Sequence, residues 1–457
     1  MSTAQVQNPV NARGQAAQPG TVASPTAVEK GVILFFVTFL LLLPKGGIKL
    51  AGVPITWGYL GLALFFLWLP LALLAGRRIE LRKVRLLTLA LLLPFQAVAW
   101  LGLVTNGIEG FGFAISLVVS LVFVPLMFVL VFGVHLDRLD LSYLFRLVRF
   151  GVLAVSVYGI FLFFYKLLTG SFIEIPFLTV NAGDVGELED KYIDRAGVFK
   201  LISTYNNGNI YGICLLILLP LYVWIERSGV KQLIVKTSLL LTLSRTVWAG
   251  LIVFELVQRL YVRRVSPRTV VVLGTSLLLI AGGVWYALDL LGVDVGFLFD
   301  RTLGGRQEQW KNLELMTVLP STEFEDIREM VYLSMLHNFG LLGLASFLLG
   351  MAAPLLLFAS GSLPFAASGY KKSLAVGLFV YLFVSLSDGA LLFIPVMAFY
   401  WFVVSLLLSD NPSFPRDPEE ERERPRRRVG AGTLPLVVLD VRRPGAELEP
   451  ARLGSIR

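Results

Sequence analysis

Residues 232–258 read QLIVKTSLLLTLSRTVWAGLIVFELVQ, and how this stretch crosses or does not cross a membrane decides everything downstream of it. One reading is a single long helix with Arg245 at its centre. The other is a pair of short helices meeting at Ser244-Arg245-Thr246. A central arginine costs about 2.5–3.5 kcal/mol on insertion scales. A hairpin avoids that cost and keeps the later segments in one consistent orientation.

The membrane itself is implied by composition. Of 457 residues, 56% are hydrophobic and only 16% charged, with a mean hydropathy of +0.74. That leaves too little polar surface to cover the apolar side chains in water, which excludes a soluble globular enzyme and equally a disordered or fibrous chain. A span needs about 20 mostly apolar residues to cross roughly 30 Å of hydrocarbon. Such segments centre on 31–43, 55–76, 86–104, 111–134, 147–168, 208–225, 232–243, 246–258, 269–288, 338–359, 373–387 and 389–408. The expected fold is therefore an all-α polytopic membrane protein of about twelve helices. Residues 1–30 are polar, with no short apolar stretch and cleavage site before the first span, so that span is expected to serve as the signal. Residues 1–30 and 410–457 are expected to be disordered tails flanking a transmembrane domain over 31–409.

Orientation follows from the basic turns. Arg77, Arg78, Arg82, Lys83 and Arg85 follow the second segment, and Arg138, Arg146 and Arg149 the fourth. Arg227, Lys231 and Lys236 follow the sixth, Arg259, Arg263, Arg264 and Arg268 the eighth, and Lys371 and Lys372 the tenth. All five turns share a side only if 232–258 is a hairpin, and the positive-inside rule makes that side, with both termini, cytoplasmic. Lys45 and Lys49, in the turn after the first span, fall on the other side and run against the rule. Two long loops, 169–207 and 289–336, also lie on the outer side. Both are net acidic, so the chain's formal charge of +8 is mainly an orientation signal.

Chemistry in water then has only the outer face to work on. The single cysteine, Cys214, lies in an apolar run, and His135 and His337 are the only histidines, so neither a disulfide framework nor a metal centre is expected. No cofactor and no nucleic-acid partner is expected either. Four cationic or proton-exchanging residues converge on the outer face. Arg195 is in the first loop, Arg245 at the hairpin tip, Arg306 in Gly304-Gly305-Arg306-Gln307-Glu308-Gln309-Trp310, and His337 beside Asn338 where the tenth segment begins. Guanidinium groups hold phosphate oxygens in a bidentate fork, and histidine exchanges a proton near neutrality. The set suits an anionic lipid-linked substrate whose pyrophosphate must be held while a hydroxyl is activated.

Each residue also has a structural reading. Arg195 has five acidic neighbours between Asp184 and Asp194 and could pair with them. Ser244-Arg245 could be a helix N-cap and an interfacial anchor. Arg306 could be a solvated loop arginine with Trp310 as an interfacial aromatic, and His337 could cap a helix. Asn206, Asn207 and Asn209, at the start of the sixth segment, suit turn-and-cap chemistry first and sugar contact second.

Taken in order, these segments resemble the O-antigen ligase and polymerase family of bacterial polysaccharide assembly. Thr204-Tyr205-Asn206-Asn207-Gly208-Asn209, downstream of Arg195, looks like the family's Arg-Gly…Asn-Pro-Asn entry to a central helix, with Gly in place of Pro. Leu243-Ser244-Arg245-Thr246 is similar to its Ser-Arg hairpin and Gly305-Arg306…Trp310 to its Gly-Arg…Trp segment. His337-Asn338…Gly340-Leu341-Leu342-Gly343 is similar to its His-Asn and Gly-x-x-Gly signature, with Gly340 following almost at once. The match covers about 190–350.

The resemblance implies a GT-C-like inner-membrane glycosyltransferase that moves glycan from undecaprenyl pyrophosphate to an acceptor at the periplasmic face, without a metal. The acceptor would be lipid A-core for a ligase or a growing polysaccharide for an O-antigen or exopolysaccharide polymerase. It implies catalytic roles for Arg245, Arg306 and His337, with Arg195, Asn206, Asn209, Ser244, Asn338 and Trp310 binding substrate. Twelve spans also suit a transporter of lipid-linked sugar, although the segments supply few charges at mid-membrane depth and no matched pair of broken helices.

Overall fold

A computed structural model describes residues 27–50, 53–64, 79–137, 140–186, 188, 194–195, 198–262, 317–363, 365–411 and 436–439, with isolated positions at 271, 275, 282 and 286. The expected span at 269–288 lies outside the described residues apart from those positions. The described protein is mostly helical with little sheet, and five of its helices are long and apolar enough to cross a membrane. These are α2 (Lys83–Asn106), α3 (Phe111–Leu136), α4 (Ser142–Thr169), α5 (Gly208–Ile225) and α8 (Val331–Ala359). They follow α1 (Ala27–Phe36, extended by Val37–Leu42) and interleave with α6 (Gly229–Leu240) and α7 (Arg245–Val257). The chain continues through α9 (Gly369–Val384) and α10 (Ile394–Leu408).

The stretch 232–258 is a hairpin. Helix α6 stops at Leu240, a turn runs through Leu243 with φ +50°, and α7 starts at Arg245. The local reason is the sequence Thr242-Leu243-Ser244: Thr242 Oγ1 returns to the Leu239 carbonyl at 2.7 Å and accepts weakly from Ser244 N at 3.4 Å, which gives the backbone an alternative to helix.

Helix α5 is the axis of the bundle. In α5, 78% of the apolar window is buried inside the protein, against 33–61% in the other four long helices. It packs on α4, α7, α9 and α10. In lipid there is no hydrophobic force between apolar helices, so close approach of backbones matters more. Gly377 of α9 shows this: a Cβ there would lie 2.5 Å from the Ile217 carbonyl oxygen of α5.

The basic turns gather at one end of the bundle. Arg85, fully buried, donates to Asp137 at 2.7 Å and to the Gly133 carbonyl at 2.8 Å, and Arg82 pairs with Asp410. Ser409 donates to the other Asp137 oxygen at 2.6 Å. Lys371, also fully buried, bonds the carbonyls of Leu406, Leu407 and Ser409 at the end of α10. Tyr370 beside it meets both Phe145 at the start of α4 and Trp224 at the end of α5, while Lys372 lies over Tyr261 beyond α7. All five turns thus share one end, the arrangement that the hairpin reading requires. Strand Ile79–Arg82 also pairs antiparallel with Leu436–Leu439 there, and the remainder of 412–457 lies outside the described residues.

At the opposite end, the turn expected after α1 is a small antiparallel hairpin, Gly47–Leu50 with Val53–Thr56. Loop residues 175–182 fold over it: Trp57 Nε1 donates to the Phe177 carbonyl at 2.7 Å, and Ala182 N to the Gly47 carbonyl at 3.2 Å.

Helix α8 departs most from expectation. It begins at Val331, seven residues before the expected 338, and is broken at Gly340 (φ +69°, ψ −174°). The amides that the break frees are satisfied from outside the helix, Leu341 N by the Thr317 carbonyl at 2.9 Å and Leu342 N by the Val318 carbonyl at 3.0 Å. A Cβ on residue 340 would sit 2.8 Å from the carbonyl oxygens of both Val318 and Leu319, so glycine is required by conformation and by space.

Candidate functional site

The site at the end opposite the basic turns is built on the entry to α5. Ser203–Tyr205 make a tight turn, and Asn206 takes the left-handed conformation (φ +57°) that asparagine tolerates. Asn207 is the helix cap: its Oδ1 accepts from Asn209 N at 2.8 Å and Ile210 N at 3.2 Å. Capping thus falls to Asn207, which frees its two neighbours for tertiary bonds. Asn206 Nδ2 donates to the Thr179 carbonyl of the covering loop at 2.9 Å. Asn209 Nδ2 donates to Asp388 Oδ2 at 2.7 Å.

Asp388 is only 4% exposed, in the turn between α9 and α10. The other side-chain atom of the amide, Asn209 Oδ1, is buried and has no hydrogen-bond partner among the described residues. The same turn meets the hairpin tip, where Ser387 Oγ and Thr246 Oγ1 are 3.0 Å apart. The backbone adds a further tie, Leu201 N to the Leu241 carbonyl at 3.0 Å.

Arg245, half-buried, opens α7 next to Thr246. Ser244 occupies the N-cap position with extended backbone, as the capping reading has it, but its hydroxyl makes no capping bond. Trp248 Nε1 holds the tip from the α6 side by donating to the Leu240 carbonyl at 2.9 Å.

His337 and Asn338 form a second group at the same end. His337 is half-buried and stands seven residues into α8, so it is not a helix cap. Its carbonyl accepts from Thr322 Oγ1 at 3.0 Å. Asn338 Nδ2 bonds the Asp326 carbonyl at 3.0 Å and the Ser334 carbonyl at 2.9 Å, while its buried Oδ1 has no partner among the described residues. Burial holds the Asp326 carboxyl above its usual pKa, an effect partly offset by the Ile327 N–H and by Arg328, while Glu325 adds to it. The two groups are stitched together by Gly389 N donating to the Glu329 carbonyl at 3.2 Å.

The structure therefore brings Asn209, Ser244 and Arg245 together and places His337 and Asn338 on an adjoining element. Arg195 pairs its backbone with Val198, and nothing further of it is described. Arg306 and Trp310 lie outside the described residues. Thr246, quoted in the hairpin motif, was given no role there, and the motif reading passed over Ser387 and Asp388. Their signal was the polar run Ser385-Leu386-Ser387-Asp388 interrupting an apolar region. No three His, Cys, Asp or Glu side chains among the described residues are placed to hold a metal ion.

Chemically, the arrangement offers an arginine at the start of α7, an amide–carboxylate pair and the N-termini of α5 and α7 at one end, and helix N-termini and guanidinium groups favour anionic groups. No protein-family model matches the chain, and no curated protein matches it.

Proposed function

We propose that the protein is a membrane glycosyltransferase of the O-antigen ligase type, GT-C-like with about twelve spans. It would sit in a bacterial inner membrane with its active face periplasmic and both termini cytoplasmic. The observation that carries the proposal is the position of Arg245: it stands at a hairpin tip tied through Thr246 and Ser387 to the Asn209–Asp388 pair, at the end opposite the basic turns.

In this reading Arg245 and Arg306 hold the donor's pyrophosphate and stabilise the charge that develops as it leaves. The bond from the sugar's anomeric carbon to the phosphate oxygen breaks, and a bond from that carbon to the acceptor oxygen forms. The acceptor's proton passes to His337, and undecaprenyl pyrophosphate departs with the bonding electrons. Arg195, Asn206, Asn209, Ser244, Asn338 and Trp310 are proposed to orient the glycan and acceptor. Purified protein given lipid-linked glycan and acceptor should form product, and both Arg245→Ala and Arg306→Ala should abolish it at normal protein levels. Product formation unchanged in both variants would overturn the proposal.

Loss of all capped lipopolysaccharide in a deletion strain would indicate a ligase with a lipid A-core acceptor. A single surviving repeat unit would indicate a polymerase. One observation favours a second reading, a transporter of lipid-linked sugar: the break of α8 at Gly340 is the kind of discontinuity that transporters place at substrate sites. Proteoliposome flux without product would decide for it, and product without flux against it.

A further inference from the structure

Helix α4 is long and apolar enough to cross a membrane, yet only 39% of its apolar window is buried inside the protein. On its outward side Phe150, Leu153, Ala154, Val157, Tyr158 and Phe161 line an apolar groove of about 460 Å³. Their spacing is that of one helix face, with the small side chain of Ala154 set between Phe150 one turn before it and Tyr158 one turn after. Phe150 and Phe161, at the two ends of the stripe, are 62% and 53% exposed. From one to the other the helix rises about 17 Å, close to the half of a roughly 30 Å hydrocarbon core that one leaflet contributes.

Cations stand beside the first turn of this groove, at the basic end of the bundle. Arg146 is exposed and lies one turn before Phe150 on the same face, and helix geometry aims its long side chain back toward the start of α4. Arg149, on the flank of that face, is 3.8 Å from Glu226 just after α5, and the same carboxylate is 3.5 Å from Lys231 of α6. One carboxylate thus faces two cations and leaves an excess of positive charge. Asp140, whose carboxylate feels Arg146, is itself taken up by Ser142 N at 3.0 Å and Ser142 Oγ at 2.7 Å. Apolar packing alone selects no lipid, because acyl chains are as apolar as the helix. Charge at one end of the groove does select.

We propose that this face of α4 binds an anionic phospholipid of the leaflet at the basic end, with its phosphate on Arg146 and Arg149 and one acyl chain laid in the groove from Phe150 to Phe161. The site needs no assumption about the reaction that the protein performs. A phosphate accepts from both guanidinium forks, whereas a zwitterionic headgroup brings its own cation to the same place and gains less.

The test is titration of the full-length protein in detergent with phosphatidylglycerol or phosphatidylcholine, with bound lipid read by native mass spectrometry. The unmodified protein should prefer phosphatidylglycerol, and equal affinity for the two lipids would overturn the proposal. Arg146→Gln should weaken phosphatidylglycerol binding about five- to tenfold, the scale of one cation at an anionic membrane surface, and Arg146→Lys should keep most of it. Ala154→Phe, which fills the groove, should weaken both lipids alike; if that variant fails to fold, Ala154→Leu carries the same comparison. Lys83→Gln, which removes an exposed cation at the start of α2 at the same end, should change neither. Equal losses in Lys83→Gln and Arg146→Gln would overturn the proposal by reducing it to diffuse surface charge. Full phosphatidylglycerol affinity in Ala154→Phe would overturn it too, since no chain would then lie in the groove. If equimolar undecaprenyl phosphate displaced phosphatidylglycerol from the unmodified protein but not from Ala154→Phe, the groove would belong to an isoprenoid chain and the proposal would fall.

Discussion

Asn209 donates its side-chain amide to Asp388 at 2.7 Å, joining the first turn of α5 to the turn between α9 and α10 across 179 residues of sequence. A carboxylate only 4% exposed depends on such donors, because an unpaired buried charge is far more costly than a pair that never formed. Asn209→Ala should therefore cost about 1.5–3 kcal/mol. The loss should be much smaller when measured in an Asp388→Asn background. Thermal unfolding of the two single variants and the double variant in detergent gives the coupling.

Gly340→Ala should be among the most damaging single-methyl changes in the protein. The new Cβ meets two carbonyl oxygens at 2.8 Å and the backbone is held at φ +69°, so a loss of at least about 2 kcal/mol is expected. Gly112→Ala, where a Cβ meets nothing within 4 Å, is the control and should change stability little. The measurement is the midpoint of thermal unfolding for both.

At the basic end, Lys371→Met keeps the bulk of the side chain but removes the donor to the carbonyls of Leu406, Leu407 and Ser409. Leaving those buried acceptors bare should cost about 3 kcal/mol and release the end of α10. Limited proteolysis should then cut near Ser409 faster than in the unmodified protein.

The raised Asp326 pKa carries a pH signature. A carboxyl whose pKa is higher folded than unfolded binds its proton more tightly in the native state. Stability therefore falls as pH rises from the unfolded pKa through the folded one, and the cost is complete above it. Asp326→Asn removes that cost. The variant should be more stable than the parent at neutral pH, and the advantage should shrink as the pH falls below the ordinary aspartate range. Unfolding midpoints across pH 3–8 test this; an advantage independent of pH would assign the effect to something other than ionisation.

Much of the architecture was readable because lipid enforces it. Once Arg245 was kept out of mid-membrane, the five basic turns had to share an end, and Arg85, Lys371 and Tyr370 show the contacts that join them. The start of α8 was less readable, because Val331–Leu336 is cut off from the apolar run after it by the break at Gly340, and only the Thr317 and Val318 carbonyls, which take up Leu341 N and Leu342 N there, let the two parts stand as one helix. Asparagine at 206–209 announced turn chemistry, but which of three asparagines would cap and which would reach 179 residues away depends on tertiary neighbours that no local pattern encodes. Lys45 ran against the positive-inside rule, and its Nζ lies over the Phe393 ring at the end opposite the basic turns.

The cluster of Arg82, Arg85, Asp137, Lys371, Ser409 and Asp410 also bears on how the bundle can move. A machine that rocks must gape at each end in turn, and each charge-assisted bond here would have to be broken and remade, at about 1.5–3 kcal/mol apiece, every time that end opened. Bonded in this way, the basic end resists opening, so a rocking motion of the bundle would cost less at the opposite end, where such a cluster of charge-assisted bonds is not seen among the described residues.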